Sequence, residues 1–134
     1  MWFADATMSR MQEMRLLFVQ LIAAILLASL EWLAVRYDLF WRWFWFDDVM
    51  HFLGGFCVGL FVAWLYARRA LSINFAACIL GAFLIGVAWE VFEYVLHIAQ
   101  SQWFSYPVDT VKDLSMDCLG GALSVYLARW IART

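Results

Sequence analysis

Apolar residues run along this chain in long blocks that charge interrupts at only a few places. Crossing about 30 Å of hydrocarbon takes ~20 helical residues. Four blocks are long enough: 16–35, 49–67, 73–98 and 114–131. No period-two alternation survives along any of them, so the pattern predicts helices and no strands. Arg68 and Arg69 close the second block, and Ser72 or Asn74 stands where the third needs a cap. Pro107 falls just ahead of the fourth, where its missing N–H costs nothing. No internal repeat or low-complexity linker divides residues 1–134, which read as one transmembrane helical domain. The first apolar run lacks a convincing cleavage site after it and reads as retained. The expected fold is all-α: a polytopic membrane protein built as an antiparallel bundle of four transmembrane helices.

Composition agrees. Apolar residues make up 66% of the chain and charged residues 15%, against roughly 45–50% and about 25% in typical globular domains. A chain of 134 residues has too little interior to hide that much apolar surface from water. Nine Lys and Arg with a net charge of −2 form no basic stripe, so no nucleic-acid partner is expected. Nine Trp and twelve Phe exclude a disordered chain. Cys57, Cys78 and Cys118 sit inside apolar runs and read as small packing residues.

The cations separate the two sides of the membrane. Arg10, Arg15, Arg68, Arg69, Arg129 and Arg133 fall on one side; Arg36, Arg42 and Lys112 fall on the other. Both termini and the second loop are therefore expected in the cytoplasm. The outward loops carry Tyr37, Phe40, Trp41, Trp43, Phe44, Trp45 and Phe46, then Trp103, Phe104 and Tyr106. Such rings form an interfacial aromatic segment that either anchors the bundle or shapes an entrance for an amphiphile.

Acidic residues change the picture further. Of eleven, only Asp5 and Glu13 fall on the cytoplasmic side. Glu31, Asp38, Asp47, Asp48, Glu90, Glu93, Asp109, Asp113 and Asp117 fall in the outward half, with both histidines, His51 and His97. Their spacing is helical: Asp47 and Asp48 lie four and three before His51; Glu90, Glu93 and His97 fall at i, i+3 and i+7; Asp109, Asp113 and Asp117 at i, i+4 and i+8. Glu31 shares a face with Gln20 on the first span. Gly54 and Gly55, Gly86, and Gly120 and Gly121 continue the other three faces inward, where small residues let helices approach closely. The polar faces should then point at one another.

Asp47, Asp48 and Asp109 stand at helix N-termini, where a carboxylate can simply cap free N–H groups. Glu90, Asp113 and Asp117 have no such explanation, and a charge inside a span costs at least ~2.5–3.5 kcal/mol. Seven carboxylates facing Lys112 and Arg42 cannot all stay ionised: several hold protons, or a cation sits among them. Imidazole among carboxylates suits Zn²⁺, Mn²⁺ or Fe²⁺ better than Mg²⁺ or Ca²⁺. The expected metal ligands are His51, Glu90, Asp113 and Asp117, with Asp47, Asp48, His97 and Asp109 as possible additions. Neither His-x-x-x-His nor Glu-x-x-His occurs.

Three stretches together resemble a known family. They are Asp48-Val49-Met50-His51-Phe52-Leu53-Gly54-Gly55-Phe56, then Trp89-Glu90-Val91-Phe92-Glu93-Tyr94, then Asp109-Thr110-Val111-Lys112-Asp113-Leu114 followed by Asp117 and Gly120-Gly121. In order and spacing they resemble the YjdF-like family of small bacterial inner-membrane proteins, and more loosely the VanZ-like proteins. The resemblance implies a bacterial cytoplasmic membrane and an outward-facing acidic site, and supplies no reaction.

Three functions compete. A metal-dependent hydrolase would act on a lipid or other amphiphile, with Glu93 as general base. No serine or cysteine nucleophile is placed for it, and Lys112 and Arg42 offer little to a phosphate. A non-catalytic module would bind a cation, a headgroup or a partner, with glycine faces packing a bundle or a homo-oligomer. Proton or cation translocation needs polar groups through the full thickness, yet 60–65, 75–88 and 123–128 carry only Ser124 and Tyr126.

Overall fold

A computed structural model describes residues 9–97 and 104–133. The elements are α1 (Arg10–Tyr37), α2 (Leu39–Arg42), α3 (Phe46–Arg68), α4 (Phe75–Leu96) and α5 (Tyr106–Ile131), with no strand among the described residues. Asp5, Trp103 and the Ile98 end of the third expected span lie outside the described residues.

Local chemistry sets the helix ends. Ser9 opens α1 with a reciprocal cap: the Gln12 amide N–H donates to Ser9 Oγ at 3.3 Å, and the Ser9 N–H donates to Gln12 Oε1 at 2.8 Å. The Ala77 N–H donates to Asn74 Oδ1 at 3.0 Å, so Asn74 is the cap of α4. Pro107 sits in the first turn of α5. Asp47, Asp48 and Asp109 also lie in first turns, but neither α3 nor α5 has a side-chain cap. They stand where the helix dipole favours an acid, and their carboxylates also meet groups of the bundle, Asp47 beside His51 and both Asp48 and Asp109 on Lys112.

Three helices, α1, α3 and α4, are long and apolar enough to cross a membrane. The fourth expected span is also a helix, longer than 114–131 at its start, but Asp109, Lys112, Asp113 and Asp117 interrupt its apolar run. Those charges are covered by protein. A Cβ added at Gly55 would fall on the Asp117 backbone, one at Gly120 on the Phe52 carbonyl, and one at Gly59 on Ser124 Oγ. Backbone contact of this kind draws α3 and α5 together, and Gly121 against Ala82 and Cys78 brings in α4. The glycine faces are thus occupied within the chain. Gly54 is the exception, with nothing nearer than Asp117 Oδ1 at 3.9 Å.

Leu16, Leu60, Cys78, Val125, Ala128 and Ile131 fill one end of the bundle, and Ala34, Phe46 and Met50 form a smaller cluster at the other. Leu16 and Ala34 are the fully buried residues of α1, which packs along α3 through Val19, Ala23, Leu27 and Leu30 and makes no backbone approach to α4. Gln12 Nε2 donates to the Ala132 carbonyl at 2.9 Å, and the Arg129 guanidinium donates to the Ile73 carbonyl at 3.2 Å. The start of α1, the α3–α4 turn and the end of α5 therefore share one end of the molecule. At the opposite end α2 leads into an aromatic group, with Trp43 and Trp45 stacked at 5.5 Å and Phe40 edge-on to Phe46 at 5.4 Å.

Candidate metal centre

The site is built where α3, α4 and α5 cross. Asp47 and His51 share a face of α3, Glu90 and Glu93 lie one turn apart on α4, and Asp109, Asp113 and Asp117 occupy successive turns of α5. Close approach at Gly55, Gly86 and Gly120 turns these faces toward one another. His51 is 5% exposed, Glu90 5% and Asp113 2%.

His51 is the hub. Its Nδ1 lies 3.2 Å from Asp117 Oδ2. With Asp117 ionised, this contact takes a proton on Nδ1, and in the neutral ring Nε2 then carries a lone pair. Nε2 faces Glu90 Oε1 at 3.7 Å and Asp47 Oδ1 at 3.8 Å. Those separations exceed a hydrogen bond. A lone pair facing carboxylate oxygens is repulsive unless a proton or a cation lies between them.

Outer contacts orient the acids. Thr110 Oγ1 donates to Glu90 Oε2 at 2.7 Å, Tyr106 Oη donates to the Glu90 carbonyl at 3.2 Å, and Trp89 Nε1 donates to Glu93 Oε1 at 2.8 Å. Glu90 Oε1 and Asp113 Oδ1 are buried and accept no hydrogen bond, the latter with Lys112 Nζ 3.8 Å away. A buried acceptor left unpaired costs ~1–3 kcal/mol, and more when charged. Two overlapping sets of groups can hold an ion. Asp47, His51 and Asp113 offer ligand atoms within 4.8 Å of one another, as do His51, Glu90 and Glu93.

The remaining expected ligands are placed elsewhere. Lys112 Nζ lies 2.9 Å from Asp109 Oδ1 and 3.1 Å from Asp48 Oδ1, so both carboxylates serve an ion pair beside the hub. Lys112 stands 3.8 Å from Asp113 Oδ1, and its ammonium lies over the Phe104 ring at 4.7 Å. His97 leaves the Glu90–Glu93 face because α4 ends at Leu96; His97 adopts φ 54° as the C-cap and is exposed. Asp117 belongs to neither ion-holding set and instead secures Nδ1. Asp47, expected only as an addition, belongs to the hub.

Thr110, Trp89 and Tyr106 were not expected at the site. A signal for two of them exists: Thr110, Asp113 and Asp117 follow i, i+3, i+7, and Trp89 precedes Glu93 by four. Tyr106 reaches α4 only through the packing of α5.

The hub opens into a cavity of about 760 Å³ between α1, α3 and α4, whose floor includes Asp47, His51, Glu93 and Asp117. Buried histidine and carboxylates beneath an apolar cleft, on helices able to cross a membrane, describe a membrane protein with a possible acidic metal site. No curated protein and no solved structure matches the chain. A family model described as predicted membrane protein (DUF2238) matches residues 4–134, nearly the whole sequence, and the chain belongs to that family.

Proposed function

We propose that this protein is a four-span protein of a bacterial inner membrane, both termini cytoplasmic, that holds a divalent metal ion near its outer face. The resemblance to the YjdF-like and VanZ-like proteins and the distribution of Arg and Lys support the membrane and the orientation. His51 Nε2, Asp47, Glu90 and Asp113 are the proposed ligands, with Glu93 adjacent.

The observation that carries the metal reading is the convergence on His51 Nε2 of Asp47 Oδ1 and of Glu90 Oε1, a buried oxygen that accepts no hydrogen bond, with Asp113 offering a ligand atom within 4.8 Å of those of Asp47 and His51. Ligands bonded at about 2.0–2.2 Å to one tetrahedral ion stand roughly 3.4 Å apart. The 3.7 and 3.8 Å separations around Nε2 are close to that and too long for hydrogen bonds. Nitrogen among oxygens favours Zn²⁺, Mn²⁺ or Fe²⁺ over Mg²⁺ or Ca²⁺. The Nδ1 contact with Asp117 is the outer carboxylate that metal-bound histidines usually have.

A bound ion of this kind would polarise a substrate oxygen and acidify a water molecule. Glu93, held by Trp89 and lining the cleft, is the group proposed to accept the proton, in a hydrolase acting on a lipid or other amphiphile. A non-catalytic module using the same ion to hold a headgroup is the second reading, favoured by the absence of serine from the cleft lining. Translocation is disfavoured, because Leu16, Leu60 and Val125 pack the other end of the bundle with apolar groups.

Elemental analysis of protein purified without chelator tests the metal. About one divalent ion per chain is expected, lost in Glu90→Gln and in His51→Ala while circular dichroism keeps its helical signal. Unchanged stoichiometry in both variants would remove the metal from the proposal.

A further inference from the structure

The cleft beside the hub is unusual in being open sideways. α1 packs along α3, with Val19 and Ala23 against one core cluster and Leu27 and Leu30 against the other. Its backbone never approaches that of α4. Ala24, Ala28 and Glu31, at i, i+4 and i+7, line the cleft from α1, and Ile85 and Phe92 line it from α4. The two alanines leave room where larger side chains would close the gap. Both flanking helices are apolar enough to lie in hydrocarbon. The opening therefore faces the place where lipid chains would be, and its volume of about 760 Å³ falls within the ~300–1,000 Å³ of small-molecule sites.

Charge selects the occupant. Glu31, Asp38, Asp47, Glu93 and Asp117 line the cleft, and no Lys or Arg does. The nearby cation, Lys112, is held by Asp48 and Asp109. Glu31 makes no hydrogen bond or ion pair with a described residue, although it projects among apolar groups. A divalent ion at the hub would not reverse this balance, because Asp47, Glu90 and Asp113 already outweigh it.

We propose that the cleft binds a single-chain amphiphile with a cationic amine head, which enters from the bilayer between α1 and α4. The chain lies against Ala24, Ala28, Ile85 and Phe92, and the ammonium sits between Glu31 and Asp47. An ammonium so placed gains from two carboxylates in a low-dielectric site, where charge pairing is stronger than in water. A phosphate or carboxylate head would meet like charge there. This inference rests on the membrane reading above and not on the metal.

Native mass spectrometry of the full-length protein in a neutral detergent tests it, with dodecylamine, dodecanol and dodecyl phosphate as probes, each measured with and without chelator. Dodecylamine should be retained at a concentration about tenfold or more below the other two, the difference that one desolvated charge pair supplies. Glu31→Gln should erase that preference, and Ala28→Trp, which fills the cleft, should remove retention while the helical signal stays. Equal retention of dodecyl phosphate or dodecanol, no retention of any probe, or unaltered retention in Ala28→Trp would overturn the proposal. Loss of metal with amine binding intact would count against the metal alone.

Discussion

His51 spends its two nitrogens on different neighbours, and that division separates residues that would touch the proposed ion from those that would position its ligand. Glu90 Oε1, buried and without a hydrogen bond, and Asp47 Oδ1 face Nε2, whereas Asp117 lies at Nδ1. Asp117→Asn should therefore weaken zinc binding by about 10–100-fold, the usual effect of losing an outer partner of a metal-bound histidine. It should leave the stoichiometry at saturating zinc unchanged, whereas Glu90→Gln should lower the stoichiometry itself. Titration calorimetry of both variants separates the two; an Asp117→Asn curve identical to wild type would mean the Nδ1 contact positions nothing. Because carboxylate and imidazole ligands must shed protons to bind, zinc affinity in the wild type should fall as pH is lowered. Helical spacing and depth single out Glu90 and Asp113 as candidates from the sequence alone, and the fold buries both. Spacing misplaced Asp48 and Asp109, because a sequence does not show where one long lysine side chain will reach. It misplaced His97 because a helix that ends one residue early turns its last side chain off the face.

Packing between elements is just as selective. The glycines at the crossing are not equivalent, since what a side chain would meet differs at each. At Gly86 the nearest obstacle is the Asp117 carboxylate, which can rotate aside but only by leaving His51 Nδ1. Gly55 and Gly120 face backbone, which cannot rotate, and Gly54 faces open space. Gly86→Ala should thus resemble Asp117→Asn in zinc affinity at a modest cost in stability. Gly55→Ala and Gly120→Ala should lower the unfolding temperature most, with overpacking costs of about 1–3 kcal/mol or more. Gly54→Ala should be neutral or slightly stabilising, since alanine is the better helix former. Thermal unfolding in detergent ranks the four, and a Gly54→Ala variant as unstable as Gly120→Ala would mean that α3 and α5 do not cross at these glycines. Apolar blocks announced the long helices, and Pro107 and Asp109 marked the start of α5 ahead of its apolar run. A hydropathy reading stops at Asp109, Lys112 and Asp113 as though lipid surrounded them, whereas α3 and α4 surround them instead.

At the scale of the whole molecule, two hydrogen bonds constrain the topology more tightly than hydropathy does. Gln12 to Ala132 and Arg129 to Ile73 tie the beginning of α1, the α3–α4 turn and the end of α5 to one end. A chain that leaves one face and returns to it makes an even number of crossings, so α5 must traverse if α1, α3 and α4 do. Its 26 residues reach about 39 Å at 1.5 Å each, enough for the bilayer core despite its charges. The excess of arginine at the Arg10, Arg68 and Arg129 end is what supports the proposed cytoplasmic side for it. Cysteine labelling checks both steps. Cys57, Cys78 and Cys118 are free thiols that can first be replaced by alanine. A membrane-impermeant maleimide applied to whole cells should then modify Phe44→Cys, in the aromatic segment beside the cleft. It should reach Leu71→Cys, in the α3–α4 turn, only after permeabilisation; both positions are exposed. Labelling of Leu71→Cys in intact cells with Phe44→Cys protected would turn the cleft and its acids toward the cytoplasm. Labelling of both from outside would show that α3 does not cross at all.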